Sequence, residues 1–578
     1  MKKSILFGCI VLFFTMANII YMHLEIFDLS LITYRFNVKS HLFVVFDVLI
    51  LYSSFLLFFK KGMKLLIIPF TISTIYILIN VGYSRYFETY LPLSLYFEYN
   101  NLNGLSSNVY DAFEWTDIFF LISTTIVTAC YIRFVKACQC YYKANFYVFF
   151  IGIAFMGITI IPVYNKYKKE NLRLKEHFSE LNDDRTILTT FFDDIKSDWS
   201  HSNKNAFFNF GLFVNLFMDC IEANNENNFD AQIQELSPYL YSSDYISIDS
   251  SNCNKIVLLI MESFSSFPID LVIGGKEITP NINSLKNNSY YNPNMSSETK
   301  LGESSDGQYT YMTGLLPLKN KVTINEIADI NQIPSLPLLL KKKNPKWHVH
   351  MIIPTDENSW SQKSMCQRYG VDTLFTRDNY KGEKGNWLTD KQLFELSANI
   401  DGTLLKEKEF SMSIILTSST HSPYNNSIEN YDFNFPDTYS PELQNYLSNV
   451  HYADKYLGEY IQKLKDMDLF DKCMIVIVSD HKPNTPKLNI KEPTLCAKLP
   501  LIIINSPVKL EHEKRPIFQT TLFPTMLDLC SVENNWRGVG HSILMPDSVL
   551  ESPIEIERKR REQDISEVLL YSKYNVIK

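Results

Sequence analysis

The chain has no surplus of positive charge. Its 578 residues carry 55 Lys and Arg against 63 Asp and Glu, a formal net charge of −8. No nucleic-acid-binding motif accompanies them, so the electrostatic footprint of a DNA or RNA binder is excluded. Patterned cysteine is also missing: the 10 cysteines include no C-x-x-C pair and no regular framework, so they do not fix the redox compartment. Cys9, Cys130, Cys138 and Cys140 lie in or beside apolar segments, while Cys220, Cys253, Cys366, Cys473, Cys496 and Cys530 are scattered. Cys473 and Cys530 have apolar neighbours and read as core residues, not as disulfide partners. A third absence concerns the first apolar run, Ile5 to Tyr21, which follows Met1-Lys2-Lys3 without a small-x-small cleavage pattern. It reads as a retained helix, not a removed signal.

Long apolar runs are present in number. Ile5 to Tyr21, Leu42 to Phe59, Leu65 to Tyr83, Ile118 to Phe134 and Phe146 to Val163 each approach the length a helix needs to cross about 30 Å of hydrocarbon. An inside N-terminus puts Lys2, Lys3, Lys60, Lys61, Lys64, Arg133, Lys136 and Lys143 in the cytoplasm, against Arg35, Lys39 and Arg85 in short outer loops. Eight against three follows the positive-inside rule. Five crossings then deliver everything beyond Val163 to the outer face. Lys166, Lys168 and Lys169 oppose this order, but long domains translocate largely regardless of flanking charge. The loop from Arg85 to Asp117 is rich in aromatics and reads either as an interfacial belt or as a loop that helps present lipid to the soluble domain.

Residues 164–250 turn polar and helix-compatible, with an Asn-rich break at Asn224-Asn-Glu-Asn-Asn-Phe229, and read as a connector. Beyond Ser250 short apolar runs alternate with amphipathic segments. Lys255 to Met261, Trp347 to Ile353, Ser413 to Thr417, Met474 to Val478 and Leu501 to Ile504 are the expected buried strands, and Leu443 to Lys465 an expected helix. The fold class expected is therefore a five-helix transmembrane domain over residues 1–163, then an α/β domain over 251–545 with a mainly parallel central sheet. Residues 546–578 are left as a terminal extension. Ligands of such sheets bind beyond the carboxyl ends of the strands, where Glu262, His421 and Asp480-His481 would fall.

Asp480 offers oxygen and His481 nitrogen, a mixed set that suits Zn²⁺ or Mn²⁺ better than Ca²⁺. A lone Asp-His pair, or a lone glutamate ending a strand, is more often structural. Ser304 lies in Gly302-Glu-Ser-Ser-Asp306 with no histidine near it in sequence, so a metal is the simplest way to favour its alkoxide. The plainer reading is that Ser304-Ser-Asp306 caps a helix beginning near Gln308. His421, taken alone, would more often be a loop residue satisfied by its surroundings.

Taken in order, Glu262-Ser-Phe-Ser-Ser-Phe267, Gly275-Lys-Glu-Ile-Thr-Pro280, Asn283-Ser-Leu285, Gly302-Glu-Ser-Ser-Asp306 and Leu316-Pro-Leu318 resemble lipoteichoic acid synthase and its phosphoglycerol transferase relatives in the alkaline phosphatase/sulfatase superfamily. The resemblance extends to the five-span layout. It implies one divalent ion, Mn²⁺ first and Zn²⁺ or Mg²⁺ next, held by Glu262, Ser304, Asp480 and His481. Ser304 falls on the family's threonine nucleophile, and His421 on a histidine that contacts substrate phosphate. The family's Trp-x-Arg headgroup pair is only half kept: Trp360 is present, but Gln362 stands at the arginine position, with Lys363 as a candidate substitute for the charge. No Cys/Ser-x-Pro-x-Arg stretch of the formylglycine sulfatases occurs at the nucleophile.

The function implied is transfer of a phospholipid headgroup phosphate, phosphoglycerol from phosphatidylglycerol first, through a phosphoserine to an envelope glycan or glycolipid. The place implied is the outer face of a bacterial cytoplasmic membrane, and no nucleic acid is involved. Phosphoethanolamine transfer, a phosphodiesterase or sulfatase-type hydrolase, and a catalytically silent glycan sensor are the alternatives. Retention of all the expected ligands argues against the sensor.

Overall fold

The computed structural model describes residues 2–26, most of 44–55, 65–87, 112–134, 229–240 and 253–573 apart from short breaks within 320–332, within 489–492 and at 511–514, plus positions 91 and 211. The chain divides into two compact units, residues 1–97 with 107–226, and 98–106 with 227–578.

In the first unit, helices span Lys2–Ile26, Ile67–Phe87 and Ile118–Phe134. Among the described residues these are the three helices long and apolar enough to cross a membrane, so the count is three where five were expected. They correspond to the first, third and fourth expected spans. The second is described only as helical pieces, and the fifth, Phe146 to Val163, lies outside the described residues, as does most of the 164–250 connector. Phe7, Val11, Phe70, Ile77, Val81 and Val127 form the shared apolar core. Ile68, Ile72, Ile75 and Ile79 recur along one helix and are exposed, a stripe that a lipid solvent covers without cost. Arg85 lies half-buried in the last turn of that helix, its guanidinium forked on Asp117 at 2.7 and 3.0 Å and bonded to Glu25 at 3.0 Å. This full compensation is what makes a cation tolerable beside apolar helices.

In the second unit an eight-stranded sheet runs in the order β10-β4-β9-β8-β1-β7-β5-β6. The strands are β1 Lys255–Met261, β4 Tyr290–Ser296, β5 His348–Ile352, β6 Thr373–Phe375, β7 Ser411–Leu416, β8 Met474–Ser479, β9 Lys498–Ile504 and β10 Ile517–Phe518; β2 Val272–Ile273 and β3 Lys276–Glu277 form a separate hairpin. From β8 to β6 every pairing is parallel, while β9 runs antiparallel to both β8 and β4. All the expected strands are present, and the expected helix runs Pro441–Asp466. β4 was not foreseen: Tyr-Tyr-Asn-Pro-Asn-Met-Ser alternates poorly, and its register shifts between Asn292 and Met295, where Pro293 cannot donate to the ladder.

β1 carries the core. Ile256 to Met261 are buried on both faces of the sheet, each contributing roughly 1.5–3 kcal/mol relative to exposure. Ser440 starts the Pro441–Asp466 helix by accepting from the Leu443 amide at 3.1 Å, and Leu443, Leu447, Val450, Leu457, Ile461 and Leu464 pack inward. Asp401 joins three elements, meeting His350 of β5 at 2.7 Å and accepting from Tyr460 at 2.7 Å. The C-terminal segment belongs to this unit and packs into it. Ile565 and Leu569 are fully buried, Arg558 donates to the Tyr239 carbonyl at 3.0 Å, and Ser566 accepts from the Leu316 amide at 3.0 Å. Its dense charge hides an apolar face at helical spacing.

Candidate active site

Register brings the site together. Met261 of β1 is paired with Ser479 of β8, and Ile260 with Leu416 of β7. The residues that follow, Glu262, Asp480 and the Thr417–His421 loop, therefore leave three adjacent parallel strands on one edge. The backbone bends at once: Ser263 has φ 48°, and its amide donates to Asp480 Oδ1 at 2.8 Å while its hydroxyl donates to Glu262 Oε1 at 2.7 Å. Ser479 Oγ accepts from the Phe264 amide at 2.8 Å and donates to the His481 carbonyl at 2.8 Å. The two strand ends are thus tied to each other.

Ser304 opens the helix Ser304–Thr313. The helix starts four residues before Gln308, so Ser304 is its first residue and not a cap. Glu303 before it has φ 43°, a left-handed turn that costs a non-glycine residue on the order of 1 kcal/mol or more and that concentrates at functional sites. Asp306 holds the turn, accepting from the amides of Lys300 and Gly302, each at 2.9 Å. The result is a Ser304 hydroxyl 3.2 Å from Glu262 Oε2 and 3.2 Å from His481 Nε2. His481 Nε2 lies 3.4 Å from Glu262 Oε1 and 3.6 Å from Asp480 Oδ2.

Four distant side chains therefore converge, three of them, Glu262, Asp480 and His481, with ligand atoms within 4.8 Å of one another. They are 6%, 3% and 9% exposed, so their charges are costly unless compensated. Burial raises the Glu262 carboxyl, but hydrogen bonding and attraction to His481 pull it well below the usual range. Asp480 is pushed up by burial and then by the Glu262 charge. Burial lowers His481, yet Asp480, Glu303 and Glu262 together hold it well above its ordinary value. Two buried carboxylates sharing one imidazole are short of positive charge, and their O, O and N donors fit a divalent cation.

One contact sets how near Ser304 comes to the cluster. A Cβ on Gly307 would stand 2.3 Å from the Asp480 carbonyl oxygen, so only glycine lets the Ser304 helix lie on the β8 end. Gly307→Ala is expected to displace the helix and to lower kcat by about 10²-fold. Steady-state turnover beside an unfolding curve checks this.

His421 belongs to a loop bound to the same strand end: Thr417 Oγ1 accepts from the Glu262 amide at 2.9 Å, and the Thr420 hydroxyl donates to the Glu262 carbonyl. Its Nδ1 meets the Ser422 carbonyl at 2.6 Å, and its ring stands edge-on to Trp387 at 4.8 Å. Gln362 is brought to the Ser304–Thr313 helix, donating to Gln308 at 2.7 Å. Trp360, half-buried at φ 50°, leads that turn but has no hydrogen bond or ring contact with the four-residue cluster among the described residues. Lys363 does not replace the missing arginine, since its ammonium is paired with Glu357 at 2.8 Å on the surface.

Glu303, Gly307, Trp387 and Asp390 were not singled out from sequence. Only Asp390 left a signal, the capping pattern Thr389-Asp-Lys-Gln392. Its Oδ1 accepts from the amides of Ser418 and Ser419 at 2.8 and 3.0 Å, which holds the loop leading to His421. Burial pushes this carboxyl from 3.8 up to about 6. The stability tied to it is therefore complete below its unfolded value and is lost as pH rises through the folded one. Asp390→Asn keeps the acceptor and is expected to flatten the decline in unfolding temperature between pH 4 and 7; Asp390→Ala strands two amides at about 1–3 kcal/mol each. Thermal unfolding of both variants across that range is the check.

Residues 254–532 match the sulfatase family model, and residues 1–194 match that of the lipoteichoic acid synthase N-terminal domain. Lipoteichoic acid synthase 2 of Bacillus subtilis is 24% identical over 507 residues, covering 82% of this chain and 74% of that protein. Lipoteichoic acid synthase of Staphylococcus saprophyticus is 26% identical over 458 residues, covering 75% of this chain and 66% of that protein. The chain thus spans just under two thirds of the staphylococcal relative. Among solved structures, the lipoteichoic acid synthase LtaP from Listeria monocytogenes is 19% identical with a TM-score of 0.48, covering 58% of this chain and 98% of that one.

Proposed function

We propose a reaction for this chain on the premise that it belongs to the lipoteichoic acid synthase and phosphoglycerol transferase family of the sulfatase superfamily and is a transferase. It moves phosphoglycerol from phosphatidylglycerol, through a phosphoester on Ser304, to a hydroxyl of an envelope glycan or glycolipid. The observation that carries this reading is the Ser304 hydroxyl standing 3.2 Å from both Glu262 and His481 at the mouth of a strained turn.

Glu262, Asp480, His481 and Ser304 would hold one divalent cation, Mn²⁺ in the first instance. When bound, such an ion supplies the Lewis-acid charge that favours the serine alkoxide and steadies negative charge on phosphoryl oxygens. The chain's own residues do the rest. Ser304 Oγ attacks phosphorus in line with the bond to diacylglycerol; the Oγ–P bond forms, the P–O bond to the lipid breaks, and the departing oxygen takes a proton from His421. An acceptor hydroxyl then gives its proton to His421 and displaces Ser304. Because Nδ1 of His421 is engaged by the Ser422 carbonyl, Nε2 is the atom left for this exchange. Trp360 and Gln362 border the headgroup. The apolar helices hold the domain at the outer face of the cytoplasmic membrane, where a lipid donor is met at high effective concentration.

One observation favours a second headgroup. Gln362 offers a neutral amide and Lys363 is turned to Glu357, so the permanent cation that would bind an anionic group is missing and a phosphoethanolamine headgroup is accommodated as well. Purified protein given phosphatidylglycerol or phosphatidylethanolamine, each labelled in its headgroup, distinguishes the two by intact mass. The expected result is a phosphoglycerol adduct confined to Ser304. A phosphoethanolamine adduct replaces the headgroup assignment, and no adduct from either lipid refutes the covalent route.

A further inference from the structure

Cys253 precedes β1 by two residues, and Cys530 closes the helix Leu522–Leu529. They are 277 positions apart in the chain, yet their sulfurs are in contact at 3.5 Å. Both thiols are free in this structure, at 9% and 2% exposure. Cys530 is further held by Lys343, whose ammonium donates to its carbonyl at 2.7 Å. A disulfide closes at about 2.05 Å, so an approach of roughly 1.5 Å completes it, within reach of small side-chain rotations. Among the described residues no other two cysteine sulfurs touch; Cys366 lies instead against the Met351 sulfur at 3.4 Å.

We propose that Cys253 and Cys530 are joined by a disulfide in the mature protein. The inference uses the outward placement of the catalytic unit but not its chemistry, because disulfides persist on the oxidising side of a membrane. During folding, one cysteine thiolate attacks a disulfide oxidant of that compartment, protein or low-molecular-weight, and releases its first thiol. The second cysteine thiolate then displaces the other thiol from the mixed disulfide. The two protons and the electron pair leave with the oxidant's two thiols. Once buried, the bond is shielded in the folded chain and is reached by reductant as the chain unfolds. It joins the root of β1, whose far end bears Glu262, to the helix that packs beside the Ser304 helix.

The test traps thiols with iodoacetamide at harvest, purifies the full chain without reductant, and maps peptides by mass spectrometry. The expected result is a linked Cys253–Cys530 peptide pair, with both cysteines alkylated only after reduction under denaturing conditions. Reductant should also lower the unfolding temperature on the order of 5 °C, an effect absent from Cys253→Ser. Alkylation of both cysteines without reduction overturns the bond. So does an equal reductant effect in Cys253→Ser, which would place the sensitive linkage elsewhere. Protease accessibility of the catalytic unit in spheroplasts, run in parallel, shows whether sidedness has failed as well.

Discussion

Ser304→Ala is expected to abolish headgroup transfer and adduct formation, a loss on the order of 10⁴–10⁶-fold for a nucleophile, without unfolding the domain. The asymmetry follows from what the hydroxyl touches. Ser304 is partly exposed, and its contacts are to Glu262 and His481, which lie outside the apolar core. Alanine is also at ease in the first turn of a helix. The neighbouring serine is the control: Ser305 donates to the Gly302 carbonyl at 2.7 Å, so Ser305→Ala should lower stability by about 1 kcal/mol and leave the adduct in place. Single-turnover mass spectrometry on both variants reads the outcome. An adduct that survives in Ser304→Ala moves the nucleophile to another residue.

The second large effect is on metal dependence, and its sign differs between the loaded and stripped protein. Stripped of metal, Asp480 carries a pKa raised by burial and by Glu262. Its contribution to stability is present at low pH and is lost as pH rises through that raised value. Saturating metal should reverse the loss, adding about 2.7 kcal/mol at a concentration 100-fold above Kd. Asp480→Asn keeps an acceptor for the Ser263 and His481 amides, which the aspartate now serves at 2.8 and 2.7 Å, while removing the repulsion with Glu262. This variant should therefore be more stable than the parent in chelator at alkaline pH, gain nothing from Mn²⁺, and transfer no headgroup. Unfolding curves at two pH values with chelator or Mn²⁺, beside elemental analysis, decide it. A parent protein that holds no metal and does not respond to Mn²⁺, Zn²⁺ or Mg²⁺ ends the metal reading.

What could be read from the residues depended on how local the signal was. Ile256–Met261 and Met474–Val478 are unbroken apolar runs, the pattern of a strand buried on both faces. Their polar successors Glu262 and Asp480-His481 could be placed at the strand ends for the same reason, but only the resemblance gave them a metal to hold. β4 was hidden because its proline and asparagines obey a bulge and not a pleat. Gly307 and Glu303 were hidden because their roles exist only across space, one against a carbonyl 173 residues away in sequence, the other as a left-handed turn that no glycine announces. Lys363 shows the converse error, since proximity in sequence suggested a replacement charge that the helix turns toward Glu357. Cys530 was rightly placed in the core, but the core also contained Cys253.

Tyr311 donates to the Ser479 carbonyl at 2.5 Å, and Gln519 donates to the Asp480 carbonyl at 2.6 Å. The corner that presents Asp480 and His481 is thus braced by a residue near the end of the domain, while Glu262 and Ser304 are synthesised far earlier. The brace on the Asp480–His481 corner is therefore completed only once residue 519 has been made, 215 residues after Ser304.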